Sequence, residues 1–262
     1  MGYVKIEDAA AVITGAGSGI GRATALELAR RGARVVVSDV DADRAVAVAN
    51  EIGDGATGIA CDVTELADLE RLRDTCVERY GRVDIVMNNV GVLAVGPPEV
   101  IPLEEWQRLI DINLLGVVRS NLVFLPVLLE QRRGHIVNTA SMAGLLPYGY
   151  DRLPYTTTKH AIVGMSEALA LYLRPQGIGV SCLCPAGVVT NIVEQIRFFG
   201  GATAPRGPSL PTVEADVVGE LVADAIDAGR FLILTTPEVQ SELVERATDV
   251  DAYLASRAEP HE

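Results

Sequence analysis

The chain has 262 residues, a net charge of −13, 49% hydrophobic residues and only 5% aromatic ones. So acidic a balance excludes a nucleic-acid backbone as partner. The aliphatic content suits helices packed closely on a sheet.

In chain order, short aliphatic runs at 9–14, 34–38, 58–61, 84–88, 135–140, 180–184 and 231–234 predict seven strands. Helical patterns occupy 20–31, 41–52, 65–80, 103–131, 155–174 and 214–228. After the last strand, Val239, Leu243, Val250 and Leu254 predict an amphipathic helix over 237–256. Alternating strands and helices, with strands apolar throughout, predict one doubly wound α/β Rossmann domain over 1–262, its seven-stranded parallel sheet flanked by helices. The stretch 200–211, GGATAPRGPSLP, resembles a linker, but the 51 residues after it are too few for a second core. It is expected to belong to a mobile substrate loop over about 188–212.

The first strand runs directly into Thr14-Gly15-Ala16-Gly17-Ser18-Gly19-Ile20-Gly21, and a helix follows. Such a turn lets backbone amides and a helix N-terminus approach a pyrophosphate. Asp39 ends the second strand, 18 residues after Gly21, where a carboxylate accepts hydrogen bonds from a ribose and repels a 2′-phosphate. No Lys or Arg lies between Gly15 and Gly21 or directly after Asp39. The expected cofactor is therefore NAD. Asp62 and Val63, after the third strand, are expected at the adenine edge; a turn-capping carboxylate is the other reading of Asp62.

Tyr155 and Lys159 are four apart on a predicted helix and share a face. A lysine cation nearby is expected to favour the phenolate, so that Tyr155 exchanges a proton with a hydroxyl near neutral pH. Ser141 closes the fifth strand and is expected to reach the same crevice; a turn cap is its other reading. The four cysteines, at 61, 76, 182 and 184, form no CxxC pair and the three histidines lack ligand spacing. No metal is expected, and the thiols should be buried and reduced. No basic-then-apolar leader opens the chain, and no apolar run reaches about 18 residues. The cytoplasm is the expected compartment, with no membrane partner.

Together these motifs resemble the short-chain dehydrogenase/reductase family in its single-domain form of about 250 residues. They are the 14–21 turn, Asn88-Asn89-Val90-Gly91, Asn113, Ser141, Tyr155-Thr156-Thr157-Thr158-Lys159 and 185–190. The resemblance implies a nicotinamide-dependent secondary alcohol/ketone oxidoreductase. Tyr155 would be the acid/base, and Ser141 would position the substrate oxygen. Lys159 would hold the nicotinamide ribose, and Asn113 a water linking that lysine to solvent. Gly15, Ser18, Gly19, Ile20, Gly21, Asn89, Val90, Gly91, Pro185, Gly187, Val188 and Thr190 would line the dinucleotide. The family's usual alanine is here Val90, its Pro-Gly is Pro185-Ala186, and the Ser-to-Tyr gap of 14 residues is one longer than is common. Oligomerisation as a tetramer or dimer is implied as well.

The substrate wall is expected from Leu93, Ser141, Met142, Leu146, Tyr148, Ile192, Ile196 and Phe199, with 192–199 acting as a lid. Their apolar character suits an uncharged cyclic or aromatic alcohol or ketone. Two other readings compete: an NADP-dependent 3-oxoacyl thioester reductase, which Asp39 opposes, and a non-catalytic dinucleotide-binding regulator, which has no use for the proton-transferring residues.

Overall fold

The computed structural model describes residues 3–190, 192, 195–205 and 212–258. The strands of its main sheet are β1 (Ala10–Thr14), β2 (Arg34–Asp39), β3 (Ala56–Ala60), β4 (Ile85–Asn88), β5 (Gly134–Thr139), β6 (Ile178–Cys184) and β7 (Leu232–Leu234). They form one parallel seven-stranded sheet in the order β3-β2-β1-β4-β5-β6-β7. The chain winds outward from β1 to β3, then crosses back to β4 on the other side of β1. The crevice at that reversal, beyond the carboxyl ends of β1 and β4, is where such a sheet binds ligands.

The helices are α1 (Gly19–Arg30), α2 (Ala42–Ile52), α3 (Leu66–Tyr80), α4 (Leu103–Gln131), α5 (Leu153–Leu173), α6 (Ala215–Ala228), α7 (Glu238–Thr248) and α8 (Val250–Arg257). Alternate strand residues face opposite layers. Ala11, Ile13, Val35, Val37 and Met87 pack with Leu28 of α1, Val48 of α2 and Val222 of α6. Ala10, Val12, Val36, Val86 and Ile136 pack with Leu69 and Leu72 of α3, Phe124 and Leu128 of α4 and Leu173 of α5. Both faces are covered, which is why β1, β4, β5 and β6 are buried at every residue. Helix α4 is long and apolar enough to cross a membrane by composition, yet Phe124 and Leu128 seat it in this core.

The sheet follows the sequence expectation, and four details differ. The third strand lies at 56–60 rather than 58–61. The long helix 103–131 contains a π-helical turn, Ile110–Leu115, around Asn113. The expected 237–256 helix is two helices, because extended Asp249 (φ −151°) breaks it and its carboxylate caps Ala252 N at 2.9 Å. Within the expected loop 188–212, Gly187–Val189 pairs in parallel with Thr212–Glu214, and Arg197–Phe198 pairs in parallel with Ala94–Val95. Residues 191, 193, 194 and 206–211 of that loop lie outside the described residues.

Candidate active site

A cleft of about 450 Å³ opens at the sheet reversal. On its β1–β2 side the chain must turn sharply before α1, and Gly15 and Gly19 do so at φ +63° and +53°. Asp39, from the end of β2, accepts Gly17 N on Oδ2 at 3.0 Å and Asp41 N on Oδ1 at 3.1 Å. A Cβ at Gly17 would lie 2.8 Å from that Oδ2, so only glycine leaves the carboxylate room beside the turn. Each carboxylate oxygen keeps a further lone pair for a ligand hydroxyl.

Gly15, Ser18, Gly19, Ile20, Asp39, Asp62, Val63, Asn89, Val90, Gly91, Tyr155, Lys159, Pro185 and Thr190 all border the cleft. Gly21 is the third residue of α1, and Gly187 and Val188 pair with Thr212 and Val213. Thr190 packs directly against Gly19: a Cβ on that glycine would lie 3.2 Å from the threonine side chain. Asp62 turns Oδ1 onto Thr64, accepting from its N at 2.9 Å and its hydroxyl at 2.8 Å, so the turn-capping reading describes that oxygen. Asn89 ties three strand ends together: Nδ2 donates to Gly15 O at 3.1 Å, Oδ1 accepts from the Thr139 hydroxyl at 3.3 Å, and its backbone N reaches Thr14 Oγ1 at 3.2 Å.

The fold adds residues that spacing did not reveal. Val40, Cys61, Thr64, Arg108, Asp111, Ile112 and Gln195 also border the cleft. Arg22, the residue directly after Gly21, and Arg44, five after Asp39, come to the back of the glycine turn. Arg22 is bound to Glu51 at 2.6 Å, and Arg44 faces Asp41 at 3.4 Å. Position i+3 of a helix entering from β2 was the missed signal.

At the cleft's other end stand Tyr155 and Lys159, one turn apart on α5. Pro154 near the start of that helix fixes its first turn. The Lys159 ammonium donates to Thr139 O at 2.9 Å and lies 5.6 Å from the Tyr155 ring centre. Ser141 accepts from Ala143 N at 3.1 Å, which leaves its O–H to donate to the Tyr155 phenol within hydrogen-bond reach. Burial raises Tyr155 above the ordinary tyrosine value, opposed by the Ser141 hydrogen bond. Burial also pulls Lys159 down to about 8. Desolvation is the largest influence on both groups.

Asn113, fully buried, does not aim its side chain at Lys159. Its Oδ1 accepts from Val92 N at 2.8 Å, while Nδ2 donates to Val92 O at 2.9 Å and to the Thr158 hydroxyl at 3.3 Å. Both amide hydrogens are thereby used, so the expected water would have to donate to Oδ1 or to the backbone.

The expected substrate wall divides. Ile192 borders the cleft. Met142, Leu146 and Tyr148 are instead buried together with Val239 of α7 and Tyr253 of α8. Leu93 is buried, and Ile196 and Phe199 are half-buried, with Phe199 N donating to Val95 O at 2.9 Å. Among the described residues no His, Cys, Asp and Glu cluster could hold a metal.

Known proteins resemble the chain over nearly its whole length. The short chain dehydrogenase profile matches residues 9–198. The 1-deoxy-11-beta-hydroxypentalenate dehydrogenase of Streptomyces exfoliatus is 37% identical over 94% of this chain and 90% of its own. The cyclohexanol dehydrogenase of Acinetobacter sp. (strain SE19) is 36% identical over 74% of this chain and 78% of its own. A Burkholderia phymatum short chain dehydrogenase/reductase solved in complex with NAD superposes with a TM-score of 0.85 at 32% identity, over 99% of each chain. With a cleft bounded by Asp39 at one end and Tyr155 and Lys159 at the other, this chain is an oxidoreductase of the short-chain dehydrogenase/reductase family.

Proposed function

We propose that the chain is an NAD-dependent dehydrogenase that interconverts a hydrophobic cyclic secondary alcohol and its ketone. The observation that carries the reading is that Tyr155 and Lys159, one turn apart on α5, border one end of a cleft whose other end is Asp39. Relatives named for hydroxypentalenate and cyclohexanol support the substrate class.

Backbone amides of the 15–20 turn would hold the pyrophosphate, and Asp39 the adenosine ribose. Lys159 and Thr190 would hold the nicotinamide end. When bound, the nicotinamide supplies the hydride acceptor or donor. Ser141 would orient the substrate oxygen through its O–H, which the substrate takes over from the Tyr155 phenol. Tyr155 takes the alcohol proton during oxidation and returns it during reduction. Because the phenol is raised, it is protonated at neutral pH, the form that ketone reduction requires; alcohol oxidation should therefore speed up as pH rises. The positive charges of Arg22 and Arg44 are directed to Glu51 and Asp41, which leaves Asp39 to select NAD over NADP. Burial pushes the Cys61 and Cys76 thiols up to about 12, and such inert thiols suit the cytoplasm. Leu122 of α4 and Leu171 of α5 are 66% and 80% exposed, which supports a homo-oligomer.

The test is reduction of NAD, and separately of NADP, over a panel of cyclic and linear secondary alcohols. Turnover of cyclic alcohols with NAD is expected. Turnover confined to 3-hydroxyacyl thioesters with NADP, or none with any alcohol, would overturn the reading.

A further inference from the structure

Between the cleft and the segment after β6 runs a short strip, residues 92–96, whose backbone is claimed from every side. Asn113 grips Val92 at both N and O. Leu93 O accepts Arg197 N at 3.1 Å, and Val95 O accepts Phe199 N at 2.9 Å. Gly96 N donates to Asp151 O at 2.7 Å, four residues before Tyr155. A Cβ at Gly96 would meet the Phe199 Cβ at 2.9 Å, so the close approach of the two segments requires glycine here.

One side chain locks this arrangement. Glu105, in the first turn of α4, exposes 5% of its side chain. Its carboxylate accepts Arg108 Nη2 at 2.7 Å and Nε at 3.0 Å, and also Arg197 Nη1 at 3.0 Å from 92 residues away. Arg108 borders the cleft, and Arg197 follows closely on Ile192 and Gln195, which border it too. Glu105 itself does not touch the cleft. It is a buried acceptor that fixes two bordering pieces at once, and a buried carboxylate deprived of a cation is costly.

We propose that Glu105 is a positioning residue for the substrate-side wall: it holds Arg108 and the 195–199 segment in register against the 92–96 strip. The assignment of that wall to an alcohol rests on the function proposed above. Among the described residues no hydrogen bond or ion pair of Glu105, Arg108 or Arg197 reaches the glycine turn or Asp39, so dinucleotide binding should be indifferent to this unit.

The experiment compares Glu105→Gln, Arg197→Met and the double variant in the full-length protein, by residue-resolved amide hydrogen exchange without ligand and by steady-state kinetics with cyclohexanol. In both single variants the amides of Arg197 and Phe199 should exchange roughly three- to tenfold faster, with β1, β4 and β5 unchanged. The double variant should be no faster than the singles, because both remove the same contact. KM for cyclohexanol should rise several-fold while KM for NAD stays constant. Unchanged amides in both single variants, acceleration spread evenly over the sheet, or additive effects in the double variant would overturn the proposal. So would a cyclohexanol KM that stays at the wild-type value despite faster exchange. The exchange arm needs no turnover: a chain that oxidises no alcohol would sink the alcohol reading alone, and the Arg197 and Phe199 amides would still decide the anchor.

Discussion

The two sides of the cleft are built by different means. The dinucleotide side comes from one strand-turn-helix-strand run, and its defining contact, Gly17 to Asp39, spans only 22 residues. The substrate side is assembled by tethers between distant segments: Arg197 to Glu105, Phe199 to Val95, and Tyr253 onto Leu146. Where a site is made by local stereochemistry, the residues that make it must follow a pattern. Where it is made by tethers, the same apolar and charged residues serve equally well as core or surface until the fold brings them together.

If the two sides are separable in this way, substitutions on each should leave the other alone. The largest effect is expected from Tyr155→Phe, which removes only the proton-transferring hydroxyl. Turnover should fall by about 10²–10⁴-fold while NADH titrates the variant with wild-type affinity. Activity within a few-fold of wild type would mean that another group moves the proton. Loss of NADH binding would mean that the ends of the cleft are coupled.

Asp39→Ala should act on the other side. A hydrogen bond to a charged acceptor is worth about 1.5–3 kcal/mol, so the NAD over NADP ratio of kcat/KM should drop by roughly 10- to 100-fold. The ranking of alcohols should not change. A wild-type preference for NADP, or an unaltered ratio in the variant, contradicts the role given to Asp39.

The smallest effect belongs to Glu27, on α1 and remote from either end. Hydrogen bonds from Arg30, with Arg31 adding to them, hold its carboxyl at about 2 instead of 4.5, against the opposing pull of burial. A depressed carboxylate contributes stability that is complete above its unfolded value and is lost as pH falls through the folded one. Glu27→Gln should therefore lower thermal stability at pH 7 by roughly 1 kcal/mol, the upper range for screened pairs, and the gap to wild type should close between pH 4.5 and about 2. A gap independent of pH would assign the loss to packing. Altered kinetics in Glu27→Gln would break the separation of fold from site.

This contrast also explains what the sequence could disclose. The seven strands, their parallel arrangement and the cluster of Gly15, Asp39, Tyr155 and Lys159 were legible because each follows from periodicity or from a turn's demands. The fate of Met142, Leu146 and Tyr148 was not: an apolar run after Ser141 suits a pocket wall and a helix-covered core equally, and only the position of Tyr253 decides. Arg44 was missed because its approach to the glycine turn depends on where α2 enters, not on its distance from Asp39. The break at Asp249 was in principle readable, since Asp is a strong helix cap, but the apolar spacing on either side ran through it. The direction in which Tyr155 is shifted could not be read from its spacing to Lys159 either, because burial raises it against the Ser141 hydrogen bond.

The π-helical turn at Ile110–Leu115 has a consequence for how this chain can change length. Such a turn holds one residue more than the α turn it replaces, and the helix on either side resumes its normal winding. In α4 the upstream half presents Glu105 to Arg197 of the 195–199 segment, and the downstream half seats Phe124 and Leu128 in the core. Asn113 sits in the surplus between them. The helix thus works as two rigid rulers joined by a spacer one residue long, and an insertion or deletion there is absorbed where the amide of Asn113 grips Val92, not in the hydrophobic packing. Length variation in this helix is in effect variation in the fit of the cleft, hidden inside an element that otherwise looks purely structural.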